Sequence, residues 1–174
     1  MKDSSQNPPL PPFFKGGREE GDRFCAHLPL PSYRYIPGKG PKDEHRQDIP
    51  KLKIETLPPD RWRENEAYLY GIDLYHHDYF YEAHEVWEEL WHKVGHKTLE
   101  GNFLKALIQC AAVRLKIGQG ETSAAERMSK RIQELLDDLA HSGACGPTGE
   151  FMGMMIPSLL KEFEERGRPP ARLL

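Results

Sequence analysis

The sequence predicts an all-α protein: a compact bundle of four main helices plus a short C-terminal helix, preceded by a Pro-rich extended N-terminal tail. Three observations predict it. From Pro58 onward, apolar residues recur at helical spacing, and no strand alternation or hairpin turn competes. Glycines and a proline punctuate that pattern at Gly95, Gly118, Gly120, Gly143 and Pro157. Nine of the fifteen prolines fall within residues 1–50, and each removes a donor and fixes a backbone angle.

The tail, residues 1–50, reads as largely disordered or extended, most clearly in the low-complexity stretch Pro8–Gly17. Residues 1–27 are expected to be dispensable for folding. The later stretch SYRYIPGKGP has two tyrosines and a Pro-Gly turn, and its composition leaves an ordered strap and a disordered tail equally open. The helical domain is residues 51–174. Its first helix starts near Pro58-Pro59-Asp60, with Asp60 as N-cap, and runs to about Tyr75. His76-His77-Asp78 breaks it. A second helix covers about Tyr79–Val94 and ends at Gly95. Thr98 caps a third, about Leu99–Gly118, apolar around most of its girth and therefore placed centrally. Ser123-Ala-Ala-Glu126 reads as a capping box for a fourth, with Met128, Ile132, Leu135, Leu136 and Leu139 on one stripe. A Met-rich segment, Phe151–Ile156, reads as a core flap, and Pro157 opens the last helix, Pro157–Arg166.

A chain of 174 residues is enough for one domain with a real core. Its net charge of −3 carries no electrostatic footprint for nucleic acid or an acidic membrane surface. No apolar run approaches the roughly 18 residues of a membrane helix. Three cysteines without CxxC spacing, and no secretory signal, fit a reducing cytoplasm.

The chemistry concentrates in Tyr81–Trp91, YEAHEVWEELW, which holds one histidine, four glutamates and two tryptophans. At about 100° per residue, His84, Glu88 and Trp91 share a face with Phe80 and Trp87 at its edges. Titratable groups on an aromatic face need partners, because burying them alone is costly.

YEAHEVWEELW followed by FLKALIQCAA resembles the family called domain of unknown function 309 (DUF309), a group of small all-helical prokaryotic proteins. Gly71, Leu74 and Tyr75 match its first motif, and Phe80, Glu82, Ala83, His84, Glu85, Glu88 and Trp91 match its second. Phe103, Leu107, Ile108, Gln109 and Ala111 match the third. The resemblance covers about residues 62–142. The chain departs from the pattern where an asparagine is His76, a glycine is Asp78, a glutamine is Lys105 and a second glycine is Ala106. A downstream histidine has no match, and Lys116 stands near its place, which puts in doubt any site that the histidine helps to form in relatives. The resemblance implies a helical fold and no established activity.

His84 and Glu88, at i and i+4, have the spacing to ligate one cation with help from other helices, for which Asp73, His76 and His77 are candidates. Equally, they form a hydrogen-bonded structural pair, the commoner fate of such groups. Glu89-x-x-His92 is half of a di-iron motif without its second copy, so solvent exposure is expected for Glu89, His92 and His96. Gln109, Lys105 and Lys116 share a side of the third helix, either as a solvated stripe or as a wall facing His84, Glu85 and Glu88. Cys110 reads as an inert small hydrophobe.

Two functions follow. One is a non-catalytic binding module for a small ligand or a protein partner, using His84, Glu85, Glu88, Trp91, Gln109, Lys105 and Lys116 in the cleft between the second and third helices, with no cofactor favoured. The alternative is a metal-dependent hydrolase with a divalent metal on His84 and Glu88 and Glu85 as general base.

Overall fold

The structure, a computed structural model, describes residues 23–39 and 49–174. The expectations for Pro8–Gly17 and the rest of residues 1–22 and 40–48 lie outside them. Among the described residues five α-helices carry the fold: α1 Glu66–His76, α2 Phe80–Val94, α3 Leu99–Gly118, α4 Thr122–His141 and α5 Ile156–Arg166. α3 packs against both α2 and α4, α1 packs on α2, and α5 closes against α4. Among the described residues the fold is all-α apart from one two-stranded hairpin. No helix among the described residues is long and apolar enough to cross a membrane.

The first helix starts later than Asp60. Residues Pro59–Glu64 form a 3-10 turn instead, broken by non-helical backbone at Arg61. Asn65 then caps α1: its Oδ1 accepts from Tyr68 N at 3.1 Å while its Nδ2 donates to the Glu55 carbonyl. One carboxamide thus answers an orphan helix donor and anchors the incoming chain. Thr98 caps α3 as the sequence predicts, its Oγ1 accepting from Gly101 N at 2.9 Å. The capping box at Ser123 does not form. α4 begins at Thr122, after Glu121, without a side-chain cap.

α3 lies between α2 and α4, the central place that its apolar girth predicts, yet the most completely buried helix is α1, with every residue from Ala67 to His76 buried. The reason lies at long range. The strap 23–39 covers one side of α1, and the C-terminal tail docks on it too, with Tyr75 OH donating to the Pro170 carbonyl and Leu173 N donating to His76 Nε2. His76, which stands where the family pattern has asparagine, therefore holds the C-terminus by its unprotonated ring nitrogen. Asp78, in a glycine position of that pattern, has φ +67, a conformation that aspartate tolerates better than most residues.

The Met-rich segment is a hairpin, β1 Glu150–Phe151 with β2 Met154–Met155. Its two-residue turn has positive φ at both Met152 and Gly153, the geometry that suits twisted strands. Strands of two residues are too short to show alternation, so periodicity missed them. Phe151, Met152 and Met154 are buried, as a core flap requires, and Tyr68 OH bonds the Met152 carbonyl at 2.8 Å.

Candidate functional site

The core face of α2 is Phe80, Ala83, Val86, Trp87 and Leu90, an i, i+3, i+4, i+7 stripe with all five buried. His84, Glu88 and Trp91 stand one step around the helix from that stripe. They occupy an edge between core and solvent, not the buried face expected for them. The His84 side chain is 29% exposed and that of Glu88 46%, with His84 Nε2 and Glu88 Oε2 3.9 Å apart. The Tyr81 ring stacks on His84 with 14° between planes, and Tyr35 meets Tyr81 edge-on at 4.6 Å. Further along, Trp91 stacks on His96 at 3.8 Å, and exposed His92 and His96 share a 3.0 Å hydrogen bond. Glu85 is half-buried and lines, with Ile49, Pro50, Lys51, Leu52, Val86 and Glu89, a cleft of about 480 Å³.

On α3, Lys105 and Gln109 are half-buried. Lys116 pairs with Glu121 at 2.9 Å at the exit of α3, away from His84 and Glu88. Arg114 lies over the Phe80 ring at 5.2 Å, so the α2–α3 seam carries a cation at that end. The buried atoms Gln109 Oε1, Arg114 Nε and Trp91 Nε1 form no hydrogen bond among the described residues. Nor do three His, Cys, Asp or Glu side chains among those residues gather where they could hold a metal ion. Asp73 and His76, the extra ligands that a metal on His84 and Glu88 was expected to recruit, are engaged elsewhere.

Two buried acids in the helical core hold the strap: Asp73, which the sequence offers only as a candidate metal ligand, and Glu82, to which it gives no site role. Asp73 is fully buried, with Oδ1 accepting from Phe24 N at 2.9 Å and Oδ2 from Cys25 N at 2.7 Å. The Arg23 guanidinium lies 3.8 Å from the same carboxylate. Glu82 is also fully buried, and its Oε1 accepts from Tyr35 N at 2.8 Å. Tyr70 OH donates to the Pro29 carbonyl and Arg34 Nε to the His77 carbonyl. The strap is thus held mainly by its main chain. Burial pushes the Glu82 carboxyl up to about 7, against the pull of the Tyr35 N–H and with a further push from Glu85. Burial also pushes the Cys25 thiol up to about 12, and Cys110 higher still, which leaves both thiols inert. The signal for the two acids was present in the sequence: each interrupts an otherwise apolar helical face.

No curated protein and no solved structure matches the chain. Residues 68–128 match the family described as Domain of unknown function (DUF309). That segment runs from Tyr68 in α1 to Met128 in α4 and contains Asp73, Glu82, His84 and Gln109, so over this third of its length the chain is similar to the DUF309 family.

Proposed function

We propose that this chain is a non-catalytic helical binding module that takes a small ligand or a protein partner along the α2–α3 seam. In this reading His84, Glu88 and Trp91 on α2, with Lys105 and Gln109 on α3, supply the binding groups, while Glu85 lines the neighbouring cleft with residues 49–52 and Lys116 is paired with Glu121. The observation that carries this reading is the unspent hydrogen-bonding capacity of the seam: Trp91 Nε1 on α2, and Gln109 Oε1 and Arg114 Nε on α3, are buried without partners among the described residues. Native folds rarely leave such atoms unanswered, and a ligand that reaches them recovers about 1–3 kcal/mol for each. Hydrolysis finds less support. His84 and Glu88 have no third ligand beside them among the described residues, and the buried acids hold main chain.

The test is a nuclear magnetic resonance titration of the labelled whole chain with small amides, carboxylates and amines. The expected result is that at least one class shifts the Trp91 indole N–H and the Gln109 carboxamide. The Trp87 indole, already bonded to the Tyr68 carbonyl, should stay fixed. Shifts gathered away from α2 and α3, or none with any class, would count against the reading.

A further inference from the structure

Glu82 offers a second device, independent of the seam. The strap 23–39 lies across α1 and α2 and meets their two buried acids through three main-chain N–H groups, two on Asp73 and one on Glu82; Tyr70 OH on the Pro29 carbonyl, Arg34 Nε on the His77 carbonyl and His27 against Glu66 add to these. Tyr35 is itself buried, and its ring packs on Tyr81. The far end of the strap is pinned lightly, by Gln119 Nε2 at 3.5 Å from the Pro37 carbonyl. Lifting the strap would expose the Glu82 carboxyl to water.

We propose that the strap is a proton-gated cover: neutral Glu82 holds residues 23–39 down on α1 and α2, and ionised Glu82 releases them, uncovering a groove whose acidic groups are Asp73 and Glu82. A neutral carboxyl still accepts the Tyr35 N–H through its carbonyl oxygen, so protonation keeps the latch while removing a buried charge. Ionisation leaves that charge in a dry site, where its energy is lowered by opening to water.

The groups around Glu82 fix the sign. From the strap come Arg23 and Arg34, from α1 Tyr70 and Asp73, from the α1–α2 junction Tyr79, and from α2 itself Glu85. Arg34 favours the charged form and Glu85 disfavours it, but burial outweighs both and leaves the covered carboxyl titrating at about 7. In the open state it returns towards the ordinary carboxylate value near 4.3. The covered state therefore binds the proton more tightly, and opening grows as pH rises through 7. Linkage between those two values amounts to about thirty-fold in the opening equilibrium from pH 5.5 to pH 8. The two arginines leave with the strap, so the uncovered groove is more acidic than the covered surface.

Amide hydrogen exchange of the whole chain across pH 5.5–8, corrected for intrinsic rates, tests this. Protection of the Tyr35 amide should fall about thirty-fold, with the Phe24 and Cys25 amides falling alongside it while Ala111, in the middle of α3, stays constant. Glu82→Gln, which keeps the acceptor and cannot ionise, should abolish the pH dependence. A second measurement needs no variant: in the unaltered chain, the carboxyl carbon resonance of Glu82 must titrate at the same midpoint as the loss of Tyr35 protection. Flat protection in the unaltered chain, the same slope in Glu82→Gln, separate midpoints, or release of Tyr35 without Phe24 and Cys25 would each overturn the proposal.

Discussion

Gly71 lies directly beneath the Trp87 indole: a methyl group added to its α-carbon would come within 2.1 Å of Trp87 Nε1. That nitrogen donates to the Tyr68 carbonyl at 3.2 Å, one turn back along α1. The absence of a side chain thus lets α1 and α2 close on each other with a buried, hydrogen-bonded tryptophan between them. In an exposed helix Gly→Ala stabilises by about 1 kcal/mol. Here the overlap is with a ring that is itself fully buried, so sterics win. Gly71→Ala should destabilise by about 1–3 kcal/mol in urea unfolding. Unchanged or raised stability would show that the contact is looser than described.

Removal of residues 1–22, which lie outside the described residues, is the reference. Removal of 1–27 takes away both N–H groups on Asp73 and the Arg23 guanidinium, so the expectation that all of 1–27 is dispensable is revised. Loss of those partners should cost about 1–3 kcal/mol, and Asp73→Ala should cost a similar amount. Equal melting temperatures for the two truncations would mean that the strap contributes nothing to stability.

The global stability curve carries the same proton. Glu82 binds it more tightly folded than unfolded, so its contribution to stability is complete below the unfolded value near 4.3 and is lost as pH rises to about 7. The total is at most about 4 kcal/mol. In urea unfolding, the stability gap between the unaltered chain and Glu82→Gln should be wider at pH 8 than at pH 5, the unaltered chain losing stability as pH rises while the variant does not. A parallel pair of curves would remove Glu82 as the source.

His84→Ala should cost less than about 1 kcal/mol, close to Glu89→Ala, because its ring is partly solvated and 3.9 Å from Glu88. A position on the buried aromatic face would have made the cost larger. Thermal unfolding of the two variants decides it: a drop for His84→Ala several times that for Glu89→Ala would restore the buried placement.

Local chemistry was the legible part of the fold. Thr98, Gly95 and Pro157 mark helix ends because capping and breaking act within a few residues, and α2 and α3 fall where the punctuation puts them. The strap was not legible, because Phe24, Cys25 and Tyr35 dock by main-chain N–H groups that nearly every residue has. The burial of α1 was hidden for the same reason, since its covers come from 23–39 and from the C-terminal tail. Of the site, the residue types on α2 were legible and their rotation was not. Two tryptophans pull a helical projection towards His84, whereas packing follows Ala83, Val86 and Leu90. Lys116 shows the limit of a shared helical face, for its charge is answered by Glu121 in the following turn.

If the polar residues of the α2–α3 seam bind a ligand as proposed, they do so without a metal. Elemental analysis of the purified whole chain, beside His84→Ala, tests it most directly. The predicted result is metal far below one ion per chain in both proteins, with a chelator leaving the melting temperature of each unchanged. Near-stoichiometric zinc, manganese or iron in the unaltered chain, lost in His84→Ala, would contradict the claim and give the metal-dependent hydrolase precedence.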